Sequence, residues 1–202
     1  MTTGQQPGPA RVAGPADLGA AVETLTTAFF DDPLWGPAFP EVLRRAEQAA
    51  AMWRVYLTSA QRYPWTLVTP GVEAVSVWIP PGGTELTPEE EDGLEGLLTE
   101  RAGPVVARSI MEIGAQLEEA HPAEPHFYLT LLGTHTAHRG RGLGMGLLAQ
   151  GLEQVDALGA PAYLESSNPA NLGRYESVGF TARGRITTAT GHVVTTMWRP
   201  AR

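Results

Sequence analysis

Residues 138–148, HRGRGLGMGLL, set glycines at 140, 142, 144 and 146 beside Arg139 and Arg141, then turn apolar at helical spacing. Each glycine costs backbone entropy on folding, so a run of them implies a compensating use. Anion binding is such a use. The first turn of a helix has N–H groups without internal partners and the positive end of the dipole, and side chains at 140, 142 and 144 would hold a phosphate away from them. Arg139 and Arg141 add local positive charge to a chain whose formal net charge is −8. Spacing removes two common phosphate users. A G-x-G-x-x-G fingerprint begun at Gly140 requires glycine where Met145 stands, and one begun at Gly142 requires it at Leu147. A Walker A loop requires lysine, and all 14 basic residues are arginine. The residues alone leave a second reading open, a glycine-rich helix entry selected for close packing.

Missing residue types narrow the chemistry further. Without lysine there is no Schiff base, and without cysteine there is neither a thiol nucleophile nor a disulfide. His121, His126, His135 and His138 show no helical H-x-x-x-H spacing and no acidic companion set, so no metal site is expected. The acidic balance disfavours nucleic acid, because phosphate neutralisation needs clustered basic residues. No apolar run is long enough to cross a bilayer, and the opening MTTGQQPGPARV lacks a basic-plus-apolar leader, so the expected compartment is the cytoplasm.

The elements that would position this loop follow from periodicity and breakers. Residues 1–10 are polar and rich in Gly and Pro and read as a flexible tail, followed by a single domain over 11–202. Asp17 caps a helix whose Leu18, Val22, Leu25 and Phe29 share a face, ending near Asp31-Asp32-Pro33. A helix over 41–62 precedes strands at 65–68 and 72–79, divided by Thr69-Pro70-Gly71. Thr87-Pro88-Glu89-Glu90 has the pattern of a capping box, so the acids at 89–92 belong to a helix's first turn. A helix over 104–120 and a strand over 127–134 lead to the glycine loop. Then come a helix over 143–158, with Leu147, Leu148, Leu152 and Val155 on one face, a strand at 162–166, a helix at 169–178, and strands near 180–187 and 192–199.

In that setting Arg139-Gly140-Arg141-Gly142-Leu143-Gly144 resembles the R/Q-x-x-G-x-G/A pyrophosphate loop of the GNAT superfamily of N-acetyltransferases. Asn168 to Phe180, NPANLGRYESVGF, resembles that superfamily's N-x-x-x-x-x-x-Y-x-x-x-G-F segment, in the same order and about thirty residues downstream. Within the superfamily, His121 to Phe180 is most similar to the puromycin N-acetyltransferase group. Thr134-His135-Thr136 departs from the group's Val then Ser-Pro, and Arg139 stands where the loop has Gln.

The resemblance implies an α/β (α+β) GNAT fold, a mixed and mostly antiparallel sheet with splayed strands flanked by helices. Helices within 17–120 would form the acceptor side, and 127–180 would hold acetyl-CoA. It implies coenzyme contacts from Leu132, Gly133, Thr134, Arg139, Gly140, Arg141, Gly142, Leu143, Gly144, Met145 and Asn171. A strand bulge around Leu132 to Thr134 would free carbonyl-polarising amides, and Tyr175 would protonate the leaving thiolate. Asp32 and Glu165 are the candidate bases, each with an alternative as an anchor for a cationic substrate. Trp35, Phe39, Trp53 and Tyr56 would flank an aromatic acceptor, or serve simply as core.

The implied activity is direct acetyl transfer to a small-molecule amine, an antibiotic or a biosynthetic intermediate, by a monomer or homodimer. Acetylation of a protein or peptide amine, O-acetylation and non-catalytic acyl-CoA sensing are the alternatives.

Overall fold

The computed structural model describes residues 8–202. The tail reading therefore lies mostly outside the described residues; at its inner edge Ala10 N donates to Gln150 Oε1 at 2.6 Å. A short strand β1 (Arg11–Val12) leads into α1 (Leu18–Phe29), α2 (Trp35–Ala38) and α3 (Val42–Ala60). Strands β2 (Thr66–Val68) and β3 (Ala74–Ile79) follow, then α4 (Pro88–Ala102) and α5 (Pro104–Glu119). The second half runs β4 (Phe127–Thr134), α6 (Leu143–Ala157), β5 (Ala162–Ser166), α7 (Leu172–Ser177), β6 (Thr181–Thr187) and β7 (Val193–Arg199).

Two local expectations change. The four-residue α2 had no periodic signal of its own. The helix expected over 169–178 divides into a 3-10 turn, Pro169–Asn171, and the shorter α7, because the Asn168 side chain caps the proline-led turn through Ala170 N.

One seven-stranded sheet has the order β1-β2-β3-β4-β5-β7-β6, and every pairing except β4 with β5 is antiparallel. Helices cover both faces, so every residue of β3 is buried. Its pleat divides them: Val75 and Val77 join the core under α1, α3, α4 and α5, while Trp78 joins Leu148, Leu152 and Val155 of α6 on the other face.

The parallel pairing of β4 with β5 extends only over Phe127–Leu129 against Ala162–Leu164. Beyond that the two strands have no mutual register although β4 continues to Thr134, so they splay. The β3–β4 ladder slips between Val77 and Trp78, which face Leu131 and Leu129 and leave Thr130 as the extra residue. The bulge thus lies earlier than the Leu132 to Thr134 expected, at the mouth of the splay, where β4 must bend away from β5.

Two polar devices hold the frame. Thr87 Oγ1 accepts from Glu90 N at 3.2 Å while Glu90 Oε2 accepts from Thr87 N at 2.7 Å, completing the capping box at the start of α4. Arg199 at the end of β7, its side chain 3% exposed, makes a bidentate pair with Asp156 of α6 at 2.6 and 2.7 Å.

Candidate active site

The splay opens a cleft of about 600 Å³. Leu132, Gly133 and Thr134 form one wall. Arg139, Gly140, Gly142, Leu143, Gly144 and Met145 form the floor, and Asn171 and Tyr175 face them from the start of α7. Gly142 is the N-cap of α6 in the left-handed conformation, φ 75°, and Gly140 has φ 78°; L side chains avoid that region. Having no side chain, Gly142 leaves the first turn of α6, whose residues line the cleft, without a side-chain cap. Gly144 answers a different demand, since a Cβ there would lie 2.7 Å from Thr134 Oγ1.

Arg139 lines the cleft and its guanidinium donates to Ala28 O at 2.7 Å. Arg141 does not line it; its guanidinium instead meets Nδ1 of His138, itself a lining residue, at 2.9 Å. Of the two arginines, only Arg139 lines the cleft, joined there by Arg174 of α7.

A smaller cavity of about 80 Å³ continues from this cleft between the helical first half and the sheet. Phe29, Asp32, Leu132, Asn171 and Tyr175 line both spaces and form their junction. Phe29, Trp35 and Tyr56 gather around the buried Trp53, with ring centroids 5.1, 5.4 and 6.3 Å from it. Phe39 is not among the lining residues; it is fully buried in the core of the first half, and Phe29 takes the place expected of it.

Tyr175 packs edge-on against Phe180 at 6.2 Å, and burial, with the charge of Asp32 adding to it, pushes its phenol up to about 12. At neutral pH it is therefore a proton donor and never a phenolate base. Asp32 is buried with both oxygens engaged: Oδ1 accepts from Leu34 N at 2.9 Å and Trp35 N at 3.1 Å, and Oδ2 accepts from Ser167 Oγ at 2.8 Å. These bonds start α2 and tie the end of α1 to the end of β5. They leave Asp32 an anchor at the junction, with little free acceptor capacity for a substrate proton.

Glu165 lines the smaller cavity on β5, its side chain 4% exposed. Its Oε1 lies 3.3 Å from His121 Nε2, within ion-pair range but without hydrogen-bond alignment, so this buried oxygen has no directed partner.

The carboxylate with the strongest chemical signature is one that sequence reasoning did not single out. Glu85 sits in the loop between β3 and α4, and its carboxyl accepts from Thr130 Oγ1, the bulge residue of β4. Part of Glu85 reaches the surface, but the carboxyl is turned inward, and burial, helped by the negative charge of Glu165, pushes it up to about 7 against the pull of Thr130 and His121. Arg62 and Tyr63, just beyond α3, hold this loop through Thr84 O at 3.0 and 3.4 Å. Nothing near Glu85 in the chain signals this; its environment comes from β4 and β5, 45 and 80 residues away.

Among the described residues, no group of three or more His, Asp or Glu side chains is arranged to hold a metal ion. No helix among them is long and apolar enough to cross a membrane.

Residues 85–180 match the model of the Acetyltransferase (GNAT) family. A mycothiol acetyltransferase from Thermobispora bispora is 29% identical over 161 residues, which cover 74% of this chain and 50% of that protein. The chain thus spans about half the length of this curated relative. A Corynebacterium glutamicum structure described as histone acetyltransferase HPA2 and related acetyltransferase superposes with a TM-score of 0.71, at 23% identity and covering 98% of each chain. Arylalkylamine N-acetyltransferase 2 from Aedes aegypti superposes at 0.58, with 14% identity, covering 96% of this chain and 99% of that one. The likeness is one of fold, and the mixed, mostly antiparallel sheet of this chain, flanked by helices, is the architecture the sequence led one to expect.

Proposed function

For a chain whose residues 85–180 match the model of the acetyltransferase (GNAT) family, we propose acetyl transfer from acetyl-CoA to the amine of a small molecule within a ternary complex. The observation that carries this reading is the junction, where Asp32, Leu132, Asn171 and Tyr175 line both the glycine-floored cleft and the smaller cavity beside it.

The coenzyme's pyrophosphate would lie on the uncapped amides of α6 beside Arg139. Glu85, titrating near neutrality, takes one proton from the acceptor ammonium, directly or through one water. The freed amine attacks the thioester carbonyl, since no cysteine is present to carry an acyl intermediate. Beyond Leu129 the edge of β4 has no partner in β5, and its amides are the donors available to the developing oxyanion. Tyr175 donates its proton to the departing sulfur and regains one from the acylated nitrogen.

The acceptor side favours a protonated amine on an apolar or aromatic body. Glu85 and Glu165 supply negative charge, Phe29, Trp35 and Tyr56 supply surface, and no arginine or lysine lines the cavity. Enclosure supports a small acceptor over a peptide, and the likeness of 121–180 to the puromycin N-acetyltransferase group points the same way. Every residue of the reading comes from one protomer, so monomer and homodimer serve equally.

The test is thiol release from acetyl-CoA across puromycin, other amino nucleosides, aminoglycosides, polyamines and peptides. Turnover with one class names the acceptor. Coenzyme binding by calorimetry with no turnover on any amine would favour the acyl-CoA sensor, and absence of coenzyme binding would refute both.

A further inference from the structure

His121 lies outside the coenzyme cleft and the acceptor cavity, on the loop between α5 and β4. Its position between two spaces is distinctive. On one side is Glu165, 3.3 Å away, which lines the acceptor cavity. On the other is a third cleft of about 300 Å³, open at the surface, lined by His121, His126, Pro122 and Pro125. Glu85 and Tyr128 line both that outer cleft and the acceptor cavity, so only a few side chains separate the two.

Acetylation of an ammonium releases one net proton: the ammonium, as it becomes an amide, gives up two, and the thiol product keeps one. With coenzyme filling its cleft and the acceptor plugging a cavity of about 80 Å³, the base cannot pass that proton to water by the route through which the substrates came. We propose that His121 relays the proton from the two carboxylates of the acceptor cavity, Glu85 and Glu165, to water in the outer cleft, restoring the base after each turnover. This rests on the proposed acetyl transfer and adds an exit to it. Glu85 and Glu165 line the same cavity, the buried Oε1 of Glu165 stands next to the imidazole, and the imidazole, with 19% of its side chain exposed, exchanges with solvent.

The surroundings suit a group that gains and loses a proton near neutrality. Burial lowers the proton affinity of His121, but the nearness and charge of Glu165, with Glu118 of α5 and Glu85 of the β3–α4 loop, outweigh it and hold His121 above its ordinary value. Tyr128 of β4 and Tyr163 of β5 fix the ring edge-on at 4.4 and 5.0 Å, both held neutral by burial. His126 lies 5.6 Å away and is moved the opposite way, first by burial, and Arg183 of β6 adds to that lowering. The two neighbouring histidines are thus tuned apart, and only His121 is paired with a carboxylate of the cavity.

The experiment compares wild type with His121→Ala, His121→Gln and, as a control in the same outer cleft, His126→Ala. With the best amine found, both His121 variants should lose about tenfold or more in kcat with KM for acetyl-CoA unchanged, and imidazole in the buffer should restore His121→Ala. His126→Ala should stay within about twofold of wild type. A merely structural role would lower thermal stability without imidazole rescue, and that pattern overturns the relay. Unchanged kcat in both His121 variants overturns it too, while wild-type turnover leaves acetyl transfer standing. A wild type that binds coenzyme yet releases thiol with no amine sinks the parent reading and the relay together.

Discussion

Replacing Glu85 by Gln removes a titrating group while keeping a side chain of nearly the same shape beside Thr130. The carboxyl moves from an ordinary 4.5 to about 7 on folding. Between those two values the native state holds a proton that the unfolded chain has released. Stability from this group is therefore full below pH 4.5 and declines as pH rises to about 7, after which the deficit is constant. At about 1.4 kcal/mol for each tenfold change in proton affinity, the deficit approaches roughly 3 kcal/mol. Glu85→Gln should accordingly melt with wild type at pH 4 and above it at pH 8, by roughly 6–12 °C for a chain of this length. Activity should move the other way. The kcat should fall by about 100-fold or more. The wild-type rise of rate with pH through about 7 should vanish in the variant. Calorimetric melts at pH 4, 6 and 8 beside a pH–rate profile give both readouts. A variant that melts below wild type at pH 8, or keeps its full rate, refutes the claim that a desolvated carboxylate at 85 is the base.

Four further variants test the rest of the site and its frame. Gly144→Ala places a Cβ 2.7 Å from Thr134 Oγ1, so calorimetry should find weaker coenzyme binding. Gly93→Ala in α4, where the added methyl meets nothing within 4 Å, should bind normally and gain up to about 1 kcal/mol of stability. Tyr175→Phe removes the sulfur's proton donor and should lower kcat by about 100-fold with coenzyme affinity retained; an unaltered rate removes Tyr175 from the chemistry. Asp156→Ala leaves Arg199 charged with its side chain 3% exposed and should cost roughly 3 kcal/mol in a denaturant melt, far more than an exposed pair such as Arg11 with Asp17.

Much of the frame is legible in sequence because its determinants are local. The capping box needs four consecutive residues, and Thr87 to Glu90 supply both of its hydrogen bonds. The buried face of α6 follows from Leu147, Leu148, Leu152 and Val155, which one helical period brings together. Gly142 is legible for the same reason, since a left-handed residue at a helix entry is a one-residue requirement. The direction of the Arg141 side chain is not legible in the sequence, because composition counts charge, whereas the folded loop sets its guanidinium against His138 and leaves Arg139 lining the cleft. The bulge was misplaced because register arises between β3 and β4 and is written in neither strand alone.

By itself the sequence determined which chemistries were impossible and where a phosphate could be held. The first depends on residue types absent from the chain, the second on backbone geometry within a few positions. Which carboxylate has its proton affinity raised toward neutrality was decided by tertiary structure alone. Proton affinity depends on desolvation and neighbouring charge, and at Glu85 both come from Thr130, Glu165 and His121, residues that only the closed fold brings to it. The same holds for Asp32, whose second oxygen is claimed by Ser167, 135 residues further along the chain.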